Sequence, residues 1–164
     1  ALEPYNYHRQ IIGFDTFAGF PSVNDADGHS DNVKVGSFSE NYDIYEELQM
    51  CVGAYDNNRF LNDKNKIQLI KGDANKTIPE YIDVNQHLIV SLLYLDFDIY
   101  DPTVTALKTL LSRIPKGGIV AFDEVNNPQW PGETLALIEE MGISNSRLEC
   151  FEYEPNISFV EIDR

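Results

Sequence analysis

The chain has 164 residues, 43% of them hydrophobic, which is enough to bury the core of one domain and excludes a disordered chain. Twelve Lys and Arg stand against 27 Asp and Glu, a net charge of −15 that disfavours nucleic acid and anionic membrane surfaces as partners. The longest apolar run, Leu88 to Leu95, is too short to span a bilayer, and no signal peptide is visible. Cys51 and Cys150 form no metal-type or redox-type pair and sit in apolar patterns, which reads as reduced core residues of a cytoplasmic protein.

Ile11-Ile12-Gly13-Phe14 is a short strand ending at Asp15. A polar loop, residues 16–36, follows, with Phe17, Phe20 and Pro21 near its start. Within it, Asp25-Ala26-Asp27-Gly28 lacks the full spacing of a calcium loop and reads as solvated. Ser37 and Glu40 fit a capping box, and Tyr42, Tyr45, Leu48, Val52 and Tyr55 then give a helical stripe expected to face the core. Ile67 to Lys71 reads as the second strand, followed by Gly72-Asp73, and Thr77, Pro79 and Glu80 mark a helix start.

Leu88 to Leu95 is a third strand, too continuously apolar to have a wet face, as at the centre of a parallel sheet. Asp101, as N-cap, and Pro102 open a helix with Val104, Leu107, Leu110, Leu111 and Ile114 on one face. Gly118 to Phe122 is the fourth strand, and Pro131 to Met141 a helix. Arg147–Tyr153 and Ile157–Ile162 flank Glu154-Pro155-Asn156 as a hairpin. Alternating strands and helices predict an α/β fold, a mostly parallel sheet with helices on both faces and a C-terminal antiparallel hairpin. The whole chain, residues 1–164, reads as one domain.

Asp15, Asp73, Asp96 and Asp123 all fall at the carboxyl ends of strands, where sheets of this kind bind ligands. Neighbouring parallel strands lie about 4.8 Å apart, so Asp96, Asp123 and Glu124 can converge on one point. Crowded carboxylates repel, which makes a hard cation such as Mg²⁺, Mn²⁺ or Ca²⁺ their natural occupant. Asp98 is spare to act as a base. Asp15 suits the ribose hydroxyls of a nucleotide or is a solvated turn acid; Asp73 suits the adenine side of the same ligand or is a cap. Trp130 either walls a pocket or packs a loop. His8, His29 and His87 show no ligand spacing.

Four segments resemble motifs of the macrocin O-methyltransferase family. Asp15-Thr16-Phe17-Ala18-Gly19-Phe20-Pro21 is similar to D-[ST]-F-x-G-[LF]-P, and Lys71-Gly72 through Thr77-Ile78-Pro79 to K-G-x-x-x-x-T-[LI]-P. Leu95-Asp96-Phe97-Asp98-Ile99-Tyr100 is similar to h-D-x-D-[LI]-Y, and Gly117-Gly118 through Asp123-Glu124 to G-G-x-h-x-h-D-[DE]. The resemblance covers about residues 10 to 135. It implies a Rossmann-like class I sheet and a Mg²⁺-dependent O-methyltransferase. Such an enzyme uses S-adenosylmethionine and acts on a hydroxyl of a sugar or sugar-bearing small molecule. Position by position it implies Asp96, Asp123 and Glu124 as Mg²⁺ ligands and Asp98 as general base. Asp15, Thr16 and Phe17 would face the cofactor ribose, and Asp73 and Ala74 would border the adenine. The family has Asp-Asp where this chain has Asp123-Glu124.

The family's glycine-rich cofactor loop follows a first strand that is central in its sheet, and residues 1–14 carry neither. The resemblance therefore implies a partial domain, a piece of a longer protein with its first strand missing. A homo-oligomer stays open. Two other readings stand beside this one: a metal-dependent glycosyltransferase using Asp96-Phe97-Asp98 as its D-x-D, and a non-catalytic Rossmann-like module.

Overall fold

The computed structural model describes residues 8–163, so the opening Ala1-Leu2-Glu3-Pro4 segment lies outside the described residues. Six strands and four α-helices alternate: β1 (Ile11–Asp15), α1 (Ile44–Asn57), β2 (Ile67–Lys71), α2 (Ala74–Val84), β3 (Leu92–Leu95), α3 (Tyr100–Leu110), β4 (Ile119–Phe122), α4 (Pro131–Glu140), β5 (Leu148–Phe151) and β6 (Glu154–Glu161). The strands form two sheets. β1 and β2 pair in parallel; β3, β4, β6 and β5 follow in that order, with β3 parallel to β4 and the last two joined as an antiparallel hairpin.

The core is built where period-2 and period-3.6 patterns meet. Leu93 and Leu95 of β3 and Val120 and Phe122 of β4 point to one face, where they pack with Ile78 and Ile82 of α2, Ala106, Leu107 and Leu110 of α3, and Ala136 and Leu137 of α4. Each fully buried Leu or Ile there is worth about 1.5–3 kcal/mol relative to exposure. β3 alternates strictly, and Leu92 and Tyr94 on its other face are 59% and 45% exposed. The expectations of a strand with no wet face and of helices covering both faces therefore fail at β3. It ends its sheet among the described residues, and residues 88–91 precede the strand.

Several local readings also shift. α1 starts at Ile44, capped by Asp43, which accepts the Glu46 N–H at 3.2 Å; Ser37 and Glu40 lie upstream. None of its stripe is fully buried, and Tyr42 is exposed, because α1 lies outside the cluster that α2, α3 and α4 form. α2 starts at Ala74 with Pro79 inside it, since Asp73 caps it four residues before the signal expected from Thr77. The hairpin turns at Glu152-Tyr153, and Glu154-Pro155-Asn156 belongs to β6. Cys51 and Cys150 are exposed free thiols: α1 and the edge strand β5 leave both positions facing outward. Among the described residues no helix is long and apolar enough to cross a membrane.

Candidate active site

Asp15 closes β1, Asp73 follows β2 by one glycine, Asp96 follows β3 and Asp123-Glu124 follow β4. The parallel register pairs Leu95 with Phe122, so Asp96 and Asp123 come next on adjacent strands, and the Asp123 N–H donates to the Leu95 carbonyl at 3.1 Å. A cavity of about 380 Å³ opens at these tips. Asp15, Thr16, Phe17, Asp73, Ala74, Asp96 and Asp98 all line it, together with Phe20, Phe38 and Pro102. Every residue expected to face the cofactor or to act as base thus meets in one hollow. Asp123 and Glu124 do not line it.

Local chemistry holds the near side of this hollow. The Asp15 carboxylate accepts the Phe17 N–H, and the Thr16 hydroxyl donates to the Gly19 carbonyl at 2.6 Å while accepting the Ala18 N–H at 3.1 Å. Gly19 has φ +78, and a Cβ there would lie 2.2 Å from the Ser37 carbonyl oxygen, so only glycine fits this turn. Phe17 leans on Tyr45 of α1 with ring centroids 5.0 Å apart. Asp73 is both a cavity residue and the α2 cap, accepting the Asn75 N–H at 3.0 Å. Trp130 is buried and packs on Phe20 and Phe38, so it backs the cavity wall without lining it.

The far side is acidic. Desolvation raises the Asp98 carboxyl to about 6, with further push from Asp96, Glu124 and Asp123. Desolvation also raises Asp96, followed by the charges of Asp123, Glu124 and Asp15. Among the described residues none of Asp96, Asp98, Asp123 or Glu124 forms an ion pair. Hard, all-oxygen donors with unrelieved mutual repulsion fit a divalent cation by their chemistry. As the side chains stand, however, no three His, Cys, Asp or Glu groups among the described residues are gathered for ligation. Two acids are engaged elsewhere: Asp123 accepts the Tyr94 hydroxyl at 2.8 Å, and Glu124 accepts the Asn127 amide. Burial and this bond to Asp123 push the Tyr94 phenol well above its usual range.

Three residues at the site were not legible as such. Glu133, fully buried in the first turn of α4, accepts backbone N–H groups from Phe97, Asp98 and Glu124; burial pushes its carboxyl up to about 7 against the lowering effect of those bonds. Its position three residues into a helix signals a capping box, not a long-range contact. Asp27, expected as a solvated loop acid, is 1% exposed and accepts the Tyr100 N–H at 2.6 Å, capping α3 from 73 residues away. It takes the role expected of Asp101, which lies in the first turn and accepts instead from the Asn24 amide at 2.9 Å. Tyr94 carried no signal beyond its place in an apolar run.

Known proteins resemble this chain in sequence and fold. The family model for macrocin-O-methyltransferase (TylF) matches residues 2–136. A crystal structure of CalS11, a calicheamicin methyltransferase, is 35% identical with a TM-score of 0.92, covering 97% of this chain and 62% of that one. The apo structure of CalS11, there described as a TDP-rhamnose 3'-O-methyltransferase, is 31% identical with a TM-score of 0.79 over 97% of this chain and 61% of that one. The O-methyltransferase NovP, 21% identical with a TM-score of 0.67 over 96% and 61%, shares the fold. The chain thus spans a little over three-fifths of the length of these relatives. No curated protein matches the sequence. With the strand-tip acids, the Rossmann-like class I fold and this match in hand, the chain belongs to the macrocin-O-methyltransferase (TylF) family.

Proposed function

We propose that this chain carries the acceptor and cofactor faces of an S-adenosylmethionine-dependent, Mg²⁺-dependent O-methyltransferase that acts on a hydroxyl of a sugar or sugar-bearing small molecule. The observation that carries the reading is the cavity in which Asp15, Asp73, Asp96 and Asp98 meet. The acceptor class rests on the CalS11 relative, described as a TDP-rhamnose methyltransferase.

When bound, S-adenosylmethionine supplies an electrophilic methyl group, and Mg²⁺ lowers the pKa of a hydroxyl beside it. The chain's own residues do the rest. Asp15 would accept hydrogen bonds from the ribose hydroxyls with Thr16 and Phe17 beside it, and Asp73 with Ala74 would border the adenine. Asp96, Asp123 and Glu124 would hold the cation, Asp123 and Glu124 exchanging their bonds to Tyr94 and Asn127 for it. Asp98 takes the proton from the acceptor hydroxyl. Its carboxyl, raised to about 6, is ionised at neutral pH yet basic enough to accept a proton, the match a general base needs. Phe17, Phe20 and Phe38 give the cavity an apolar wall.

The open outer edge of β3 and the separate β1–β2 pair support a further strand between them, as expected for a partial domain. Calorimetry with S-adenosylhomocysteine on this chain, and on a chain extended to the length of its CalS11 relative, tests the whole reading. Binding to the extended chain with a weaker or absent signal for the shorter one is expected. No binding of S-adenosylhomocysteine to either chain overturns it.

A further inference from the structure

Glu133 ties together the two loops that bear the acids. Its Oε1 accepts the N–H of Phe97 at 3.1 Å and of Asp98 at 3.3 Å, after β3; its Oε2 accepts the N–H of Glu124 at 3.1 Å, after β4. The next residue extends the same hold: the Thr134 hydroxyl accepts the Asn126 N–H at 2.8 Å. Asp98 and Asn126 both have positive φ, 61° and 63°, a conformation that costs a non-glycine residue and persists only where the surroundings impose it. Gly132 makes the reach possible. A Cβ there would sit 2.6 Å from the Tyr100 nitrogen and 2.8 Å from Asp27 Oδ1, so the start of α4 touches this backbone only without a side chain.

A carboxylate buried with no cation beside it is costly, and an apolar side chain would fill the same space without that cost. What an apolar residue lacks is two acceptor oxygens aimed at two different loops. We infer that Glu133 is a positioning residue that sets the spacing of the two acidic strand tips and the left-handed backbone of Asp98. Through them it sets the divalent-ion affinity of the site. The last step rests on the proposed reading of Asp96, Asp123 and Glu124 as ligands.

Amide hydrogen exchange on the full chain, read residue by residue by NMR and joined to a titration with Mn²⁺ alone, tests this. In the unmodified chain the Phe97, Asp98 and Glu124 amides exchange about 100-fold slower than free amides or better, although they sit in loops. In Glu133→Gln, whose amide can accept at only one end, the amides of at least one tip, Phe97 and Asp98 or Glu124, speed up about 10-fold while Val160 in β6 stays within about twofold. Mn²⁺ affinity falls about 10-fold, as for a lost outer partner of a ligand. Unprotected amides in the unmodified chain overturn the inference even if the variant does not fold. Acceleration spread evenly through the protein overturns it as well, since that is simple loss of stability. Loosened tips with unchanged Mn²⁺ affinity overturn the link to the ion. Selective loosening in a chain that never binds Mn²⁺ upholds the positioning role and defeats the metal assignment instead.

Discussion

The two sides of the cavity are built in different ways. Behind Asp96 and Asp98 stand the β3–β4 core and two buried carboxylates, Glu133 and Asp27, which fix every amide from Phe97 to Tyr100 but that of Ile99. Behind Asp15 stand a two-stranded sheet, a helix with no fully buried apolar residue, and hydrogen bonds within the turn itself. The side that holds Asp96 and Asp98 is preorganised by long-range contacts, and the Asp15 side largely by local ones. Preorganisation matters most where charge moves during a reaction, and under the proposed function that is the Asp98 side.

The strongest way to sharpen the contrast is to remove the base. In a chain extended to the length of the CalS11 relative, Asp98→Asn should lower kcat about 10³-fold, within the range for a lost general base, with Mn²⁺ affinity little changed. Equal collapse of Mn²⁺ binding in a calorimetric titration would make Asp98 a ligand. Asp96→Asn should show the opposite pattern, with ion affinity falling first.

Stability gives the next test. Leu107 of α3 is 1% exposed inside the helix cluster, and Leu107→Ala should cost about 3 kcal/mol in urea unfolding. Val52 of α1 is only partly buried, and Val52→Ala should cost roughly 1 kcal/mol or less. Equal costs would erase the distinction between the two regions.

The smallest expected effect is in pH. Glu133, raised to about 7, and Asp98, raised to about 6, bind protons more tightly folded than unfolded, where Glu and Asp titrate near 4.5 and 3.8. Their contribution to stability is therefore fully present below those unfolded values and is lost as pH rises through the folded ones. With divalent ions chelated, Tm should fall by roughly 5 °C between pH 5.5 and 8, and Glu133→Gln should flatten that slope. A Tm that rises over this range would mean that neither acid is strained by burial.

What could be read in advance follows the range of the interaction. The acids at the strand tips were legible because each ends an apolar run, a pattern contained in about ten residues. The α2 cap was legible as an alternative for Asp73 for the same reason. Glu133 and Asp27 were not, because Phe97 and Asp98 lie 36 and 35 residues from the one and Tyr100 lies 73 from the other, and no local pattern marks these contacts. The wet face of β3 was illegible for a different reason: Leu92 and Tyr94 are apolar, and an apolar residue does not report whether anything covers it.

That uncovered strand has a bearing on how the chain behaves in the tube. Among the described residues no strand pairs with the outer edge of β3, and its main-chain donors and acceptors beside Leu92 and Tyr94 are a template for any extended segment, including one from another copy. A net charge of −15 opposes such pairing, and that repulsion fades once added salt shortens its reach to about 8 Å. Self-association measured by sedimentation should therefore rise from dilute, low-salt buffer to concentrated, salted stocks.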